Sequence, residues 1–309
     1  MTRVAALDCG TNSLRLLVAD VVDDRLTDVV RRMEVVRLGA GVDRTGRFAD
    51  EALARTFAVL DDYASTVRDL GAEAVRMVAT SATRDAANRS VFVEGVVTRL
   101  GVEPEVVSGD EEARLSFSGA TRELRGDAAV PAPYLVVDIG GGSTEFVVGD
   151  ASGPVAAKSV DIGCVRMTER HLADDPPTSD QIAAAREDIM TAIDAAASVV
   201  DLGEARTLIG LAGSVTTVAA LALNLPGYDA DRIHHSRTSA DEVHRVAQEM
   251  LAASRAERAA LPVMHPGRVD VIGAGAMILD AIVERGAFAE VVASEHDILD
   301  GIAFSAVER

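Results

Sequence analysis

Residues 134–149 read Tyr-Leu-Val-Val-Asp-Ile-Gly-Gly-Gly-Ser-Thr-Glu-Phe-Val-Val-Gly, and this stretch restricts the fold more than any other. Two apolar runs rich in β-branched residues, 134–139 and 146–148, predict buried strands, and Gly140-Gly141-Gly142-Ser143 between them predicts a tight turn. Three glycines carry no side chains, so the backbone N–H groups of the turn can approach an anion closely, with Ser143 and Thr144 adding hydroxyls. Such a turn suits a phosphate. Asp138 and Glu145 stand at its two ends, and two carboxylates beside a phosphate make chemical sense with a hard divalent cation such as Mg2+ between them.

The stretch has a second copy. Aligning residues 5–18 on 135–148 matches Asp8 to Asp138, Gly10 to Gly140 and Ser13 to Ser143, with apolar strands on both sides. Gly10, Thr11, Asn12 and Ser13 thus form a second candidate phosphate turn. The copies differ at Arg15 against Glu145, so one turn offers a positive group where the other offers a negative one. Two copies this far apart do not make a solenoid; they predict two related domains facing one another across a cleft, gripping one polyphosphate group from both sides. The turn-rich segment 121–133 serves as the connection, giving domains 1–127 and 128–309.

Composition narrows the chemistry. A chain of 309 residues that is 48% hydrophobic but 3% aromatic, with no Trp, builds its cores from Val, Leu, Ile and Ala. The formal charge of −19 argues against nucleic acid or an anionic membrane as partner, so a phosphate-rich ligand must be held by clustered arginines, backbone amides and metal. Lys158 is the only lysine, which removes both the P-loop and the protein-kinase patterns. No long apolar run and no signal-peptide pattern is present, and a cytoplasmic location is expected. Cys9 and Cys164, each beside a glycine, read as reduced packing residues.

Further anion-binding patterns lie along the chain. A third apolar run lies at 29–38, then come a polar loop at 39–46, an expected helix at 51–70 and an expected strand at 74–79. The hydroxyl-rich turn Thr80-Ser81-Ala82-Thr83-Arg84-Asp85 then leads into a helix at about 87–100 and presents N–H donors and Arg84 to an anion, unless Thr80 or Ser81 merely caps the helix. After a strand at 102–107, Ser108 and Glu111 have the spacing of a capping box, which turns Glu111 back and leaves Glu112 as the candidate general base; dipole complementation by the two acids is the simpler alternative. Beyond the central hairpin the pattern predicts a third strand at 154–160, a turn into a short helix at 161–166, and a long helix carrying apolar residues from 182 to 200. A strand at 207–211 followed by Ala212-Gly213-Ser214-Val215-Thr216-Thr217 is a third candidate anion loop, through Gly213 and Ser214. His234 and His235 precede a helix at 239–253, and their spacing suggests no zinc site. Small residues at 273–276 allow a helix at 271–283 to pack closely, and a strand at 290–293 and a helix from about 297 follow.

Together these segments resemble the exopolyphosphatase and guanosine pentaphosphate phosphohydrolase (Ppx/GppA) family of the sugar kinase and actin-like ATPase superfamily. The motifs that carry the resemblance are 8–13, 79–85, 108–114, 138–145, 210–217 and 267–275, which together span nearly the whole chain. The resemblance implies an α/β protein of two ribonuclease H-like domains around a central cleft, dependent on Mg2+ and hydrolysing terminal phosphoanhydride bonds. It allows the last helix to return to the first domain, and it makes a homodimer an expectation. Glu112 stands at the family's general base, Asp138 and Glu145 at its second phosphate and metal motif, and Asp8 in the first. Larger relatives continue into helical domains that help hold long polyphosphate, so short chains are the expected substrate. Where relatives usually carry Gly-Leu-Arg-Glu-Gly, this chain has Asp297-Ile298-Leu299-Asp300-Gly301, and the missing arginine points to a different substrate preference.

The expected mechanism follows. Terminal phosphate lies between Gly10–Ser13 and Gly140–Ser143, with Mg2+ on carboxylates from Asp8, Asp138 or Glu145. Arg84 and Arg15 stabilise charge, and Glu112 activates an in-line water. Inorganic polyphosphate and guanosine pentaphosphate are the expected substrates. A nucleoside triphosphatase or phosphotransferase of the same superfamily remains open at this stage, as does a nucleotide or polyphosphate sensor without turnover, though the full set of acids argues for catalysis.

Overall fold

The computed structural model of the protein describes residues 1–22, 25–124 and 126–307. The chain divides into two compact units, Met1–Gly119 with Ile298–Arg309, and Ala120–Asp297.

Among the described residues, the first unit is built on five strands in the order β3-β2-β1-β4-β5: β1 (Thr2–Cys9), β2 (Ser13–Val22), β3 (Arg25–Val35), β4 (Ala74–Ala79) and β5 (Glu105–Val106). β1, β2 and β3 form an antiparallel meander, while β4 and β5 join β1 in parallel. A strand covered on both faces must be apolar throughout, which is why Val4-Ala5-Ala6-Leu7 contains no alternation. Ala5, Leu7 and Cys9 pack with Leu60 and Tyr63 of the helix Asp50–Asp69 and Phe92 of the helix Arg89–Leu100. Val4 and Ala6 on the other face meet Leu115 of the helix Gly109–Thr121 and Ile302 of the helix Ile298–Val307.

Two strands differ from the sequence pattern for local reasons. β3 runs from Arg25 to Val35 rather than 29–38, because the N–H groups of Val36 and Arg37 leave the ladder and donate to the Asn12 carbonyl. β5 is reduced to two residues, since Pro104 has no N–H to give a ladder. The C-terminal motif also has a structural explanation. Gly301 lies so close to the helix Gly109–Thr121 that a Cβ there would fall 2.0 Å from the Leu115 carbonyl oxygen, and buried Asp300 accepts from Arg31 of β3. The departure from Gly-Leu-Arg-Glu-Gly therefore falls, at Ile298, Leu299 and Asp300, on internal packing of the first unit, while Gly301 keeps the motif's last glycine.

Among the described residues, the second unit has six strands in the order β10-β11-β9-β6-β7-β8: β6 (Tyr134–Ile139), β7 (Thr144–Asp150), β8 (Gly153–Val160), β9 (Thr207–Leu211), β10 (Arg237–Ser239) and β11 (Glu290–Ala293). β6, β7 and β8 repeat the antiparallel meander of β1, β2 and β3, and β9 and β11 repeat the parallel pair. The duplicated sequence motif is thus the leading hairpin of a duplicated sheet. Leu135, Val137, Ile139, Phe146 and Val148 point into one large core with the helices Ser179–Ala197, Ala212–Ala222 and Ile272–Arg285. Asp138 and Glu145 alternate with these residues and so take the opposite face. Among the described residues, no helix is long and apolar enough to cross a membrane.

Candidate active site

The two hairpin turns have the same internal bond. The Gly10 N–H donates to the Ser13 carbonyl at 3.0 Å, and the Gly140 N–H donates to the Ser143 carbonyl at 3.0 Å. These two amides are therefore consumed inside the turns and are not among those open to an anion. The remaining amides are oriented by what holds the carbonyls. In the second turn Cys164 N–H donates to the Gly140 oxygen, Val165 and Arg166 N–H to the Gly141 oxygen, and Arg166 Nε to the Gly142 oxygen at 2.7 Å. A trans peptide points its C=O and the following N–H in opposite directions. With three carbonyls held by the helix Cys164–His171, the N–H groups of Gly141, Gly142 and Ser143 are turned to the other side.

The first turn reaches the same state with different anchors. Gly39 N–H donates to the Thr11 oxygen at 2.8 Å, and Val36 and Arg37 N–H donate to the Asn12 oxygen, so the amides of Asn12 and Ser13 face away from that loop. Both anchors require glycine for close approach. A Cβ on Gly39 would lie 2.3 Å from Thr11 Cγ2, and one on Gly163 would lie 2.4 Å from the Gly141 carbonyl carbon.

The acids at the two hairpins are cross-strand partners. Asp8 stands opposite Arg15, and Asp138 opposite Glu145. Arg15 donates to Asp8 Oδ2 from Nε at 2.9 Å and from Nη2 at 2.7 Å, so the first hairpin pairs its acid with a cation from its own ladder. The Arg15 guanidinium is thereby occupied on Asp8 as well as being a phosphate candidate. In the second hairpin two buried carboxylates face each other, an arrangement that like-charge repulsion disfavours. Ser159 Oγ donates to Glu145 Oε1 at 2.8 Å. This donor set of hard oxygens fits a divalent cation of the Mg2+ type.

Arg84 and Glu112 come together. Arg84 Nη1 donates to Glu112 Oε2 at 2.7 Å and to the Val107 carbonyl at 2.9 Å. Asp8 and Arg15 project from the sheet face that carries Val4, Ala6 and Leu17, the face on which the Glu112 helix packs. The turn after β4 joins the first hairpin through a 3.0 Å hydrogen bond between Ser81 Oγ and Thr11 Oγ1. Arg84 also borders a groove of about 670 Å³ shared with Arg89, Glu103 and Ser108. The capping box is only half present: Ser108 Oγ accepts the Glu111 N–H at 3.2 Å, but the Glu111 carboxylate goes to Arg76 at 2.9 Å. Glu112 is accordingly not a free acid but the partner of Arg84.

The third loop is arranged differently from the sequence expectation. Ala212 takes φ 66, a left-handed conformation unusual for a residue with a side chain, where the chain passes from β9 into the helix Ala212–Ala222. Gly213 lies under the Arg268 guanidinium, whose Nη1 donates to Thr217 Oγ1 at 3.0 Å. Ser214 is buried, turned onto Gly275, where a Cβ would fall 2.2 Å from its Oγ, and onto Cys164. Its hydroxyl is therefore part of the packing between helices rather than an outward phosphate ligand. Tyr228 OH lies 2.7 Å from both Thr216 Oγ1 and Glu295 Oε1. Burial and the nearby Glu295 push the Tyr228 hydroxyl up to about 12. Burial likewise raises the Cys9 and Cys164 thiols, both free and buried.

Gly39, Gly163, Arg166 and Arg268 are the positioning residues that sequence reasoning missed. Gly163 and Arg166 fall in the Asp161–Arg166 turn, whose glycine was the available signal. The histidines gain a partner that their local spacing does not reveal: Glu123, His234 and His235 each place an atom within 4.8 Å of the others and form a candidate metal cluster.

Comparison with known proteins places this geometry. The model of the Ppx/GppA phosphatase family matches residues 17–309. Exopolyphosphatase 2 of Mycobacterium tuberculosis (strain ATCC 25618 / H37Rv) is 50% identical over 318 residues, covering 99% of this chain and 98% of that protein. The crystal structure of an exopolyphosphatase-like protein superposes with a TM-score of 0.96 at 45% identity, covering 100% of this chain and 99% of the other. The Aquifex aeolicus PPX-GPPA enzyme gives a TM-score of 0.81 at 28% identity over 98% of this chain and 99% of its own. Both units accordingly have the ribonuclease H-like architecture of the actin-like ATPase class.

Proposed function

The chain belongs to the Ppx/GppA phosphatase family, and from that membership we propose that it is an exopolyphosphatase-type phosphohydrolase, releasing terminal phosphate from inorganic polyphosphate, guanosine pentaphosphate or both. The observation that carries this reading is that in each unit the carbonyls of the turn are held from behind, which leaves a row of amides on the turn's other side, the arrangement an anion requires. In the first unit Asn12 and Ser13 present amides, with Gly10 and Thr11 shaping the turn. In the second, Gly141, Gly142 and Ser143 do so, with Gly140 closing the turn and Gly213 adding a third backbone approach.

Glu112 is the base that orients and deprotonates the attacking water, and Arg84 holds that carboxylate while offering positive charge to the phosphoryl oxygens. Asp138 and Glu145, with Asp8, are the carboxylates for Mg2+, which when bound neutralises charge building on the transferred phosphoryl group. Arg15 tempers Asp8, so the first hairpin carries less negative charge than the second.

The test is phosphate release from short polyphosphate, long polyphosphate, guanosine pentaphosphate and ATP side by side, with Mg2+ and with chelator. Release from polyphosphate or guanosine pentaphosphate that stops on chelation supports the reading. Release from ATP alone would replace it with a nucleoside triphosphatase, and binding without release from any of the four would replace it with a sensor.

A further inference from the structure

The second unit carries a cluster for which the phosphate chemistry has no use. Glu123, in the 3-10 turn Arg122–Leu124, is the focus of three imidazoles. Its Oε1 lies 2.7 Å from His234 Nε2, 3.0 Å from His296 Nδ1 and 3.3 Å from His235 Nε2. The His234 and His235 rings stack with centroids 3.8 Å apart, and His296 lies 4.7 Å from His234. Three imidazoles from two separate segments therefore converge on one oxygen of a third segment.

Hydrogen bonding alone does not account for this. A carboxylate has about four lone-pair sites over two oxygens, so one oxygen serves about two donors and cannot satisfy three. Among the described residues, His235 Nε2, although 3.3 Å from Glu123 Oε1, is buried without a well-directed hydrogen bond, and Ser236 Oγ and Thr238 Oγ1, beside it in the chain, are buried without one as well. Buried polar atoms without a good hydrogen bond are uncommon, and His235 Nε2, beside an oxygen that already serves two donors, calls for a further group. His235 is also held at φ 58, its N–H bonded to the Ala293 carbonyl, so the backbone is kept in an uncommon state that fixes where this ring points.

The roles of the rings can be separated. Glu295 N–H donates to His234 Nδ1 at 3.1 Å, which places the proton of the neutral ring on Nε2, facing Glu123. His234 is thus a donor that fixes the carboxylate, the usual part of an outer partner at a metal site. We infer that Glu123, His235 and His296 bind one divalent transition-metal ion of the zinc class, with His234 orienting Glu123. A tetrahedral ion at about 2.0–2.1 Å from nitrogen and about 2.0–2.2 Å from oxygen sets neighbouring ligand atoms about 3.3 Å apart. The two pairs that run through Glu123 Oε1, to His296 Nδ1 at 3.0 Å and to His235 Nε2 at 3.3 Å, are close to that spacing. Imidazole with carboxylate selects zinc, cobalt or nickel over magnesium, so this site differs in kind from the all-oxygen pair Asp138 and Glu145. Glu123 follows shortly after Ala120, where the second unit begins, and His296 directly precedes Asp297, where it ends. The ion would tie the entering and leaving segments of this unit to its edge strand β10.

The test is direct binding and does not involve turnover, so it stands apart from the phosphohydrolase reading. Metal-stripped full-length protein is titrated with Co2+ and Zn2+ in saturating Mg2+. One Co2+ per chain, with a visible d–d spectrum displaced by Zn2+ and a raised Tm, is expected. His235→Asn, chosen because asparagine tolerates the left-handed backbone, is expected to lose the spectrum while keeping the metal-free Tm. His234→Gln is expected to weaken binding by about 10–100-fold without abolishing it. Absence of a stoichiometric Co2+ spectrum in the unaltered protein, or one that survives His235→Asn, overturns the assignment.

Discussion

Gly163→Ala tests whether the helix Cys164–His171 shapes the second turn. Gly163 has φ −146 and ψ 162, extended backbone open to any residue, so alanine brings no conformational penalty. Its cost is steric. The new Cβ would lie 2.4 Å from the carbon and oxygen of the Gly141 carbonyl and 2.6 Å from Gly142 N, all backbone atoms that no rotamer change can move. Relief to ordinary contact at 3.4 Å requires the turn and the helix to part by about 1 Å. A displacement of about 1 Å at a reacting group costs on the order of 10²-fold in rate. Overpacking of this type costs about 1–3 kcal/mol, and Tm falls by about 2–4 °C per kcal/mol for a unit of this size. The assay is phosphate release in Mg2+, with kcat and KM resolved and Tm measured in parallel. A kcat loss near 10²-fold with a folded protein is expected. A lowered Tm with unchanged kcat/KM would refute the reasoning, because the turn would then have moved without consequence for the reaction.

Other outcomes follow from the same geometry. Glu112→Gln should lower kcat by about 10²–10⁴-fold with KM little changed, since the amide still offers Arg84 an oxygen; full activity removes Glu112 as the base. Asp138→Asn and Glu145→Gln should each raise the Mg2+ concentration needed for half-maximal rate, and an unshifted titration would exclude both as ligands. Arg31→Met should destabilise the first unit by about 3 kcal/mol, read as a shifted urea midpoint, because buried Asp300 loses a cationic partner. Burial raises both thiol pKa values, so at pH 8 the thiolate fraction is depressed; Cys9 and Cys164 should resist a disulfide-exchange reagent in the native protein and react only on unfolding.

What could be read from the sequence was whatever is local or repeated. The Gly140–Ser143 turn announces itself through its glycines, and aligning it on Gly10–Ser13 yielded the duplicated hairpin that the two sheets share. The same alignment set Arg15 against Glu145, the difference that makes one hairpin a salt bridge and the other a pair of acids. Contacts between distant segments left no such trace. Gly39 fits against Thr11, and Gly163 against Gly141, only once strands and helices have assembled, and no period in the chain marks either. Glu111 has perfect capping-box spacing, yet Arg76 competes for its carboxylate with a charge-assisted bond. The histidines show the same limit, since Glu123, His234 and His296 meet across more than a hundred residues of intervening chain.

The helix Ile298–Val307 has a consequence for biosynthesis. It covers the face of the first sheet that carries Val4, Ala6, Leu17 and Val78, but about 180 residues of the second unit separate it from Gly119. At translation rates of about 5–20 residues per second, that face waits roughly 10–40 s on the ribosome for its lid. Because β11 (Glu290–Ala293), which the second sheet needs, is made only just before this helix, the two units are completed almost together, and until then the apolar face of the first stays open.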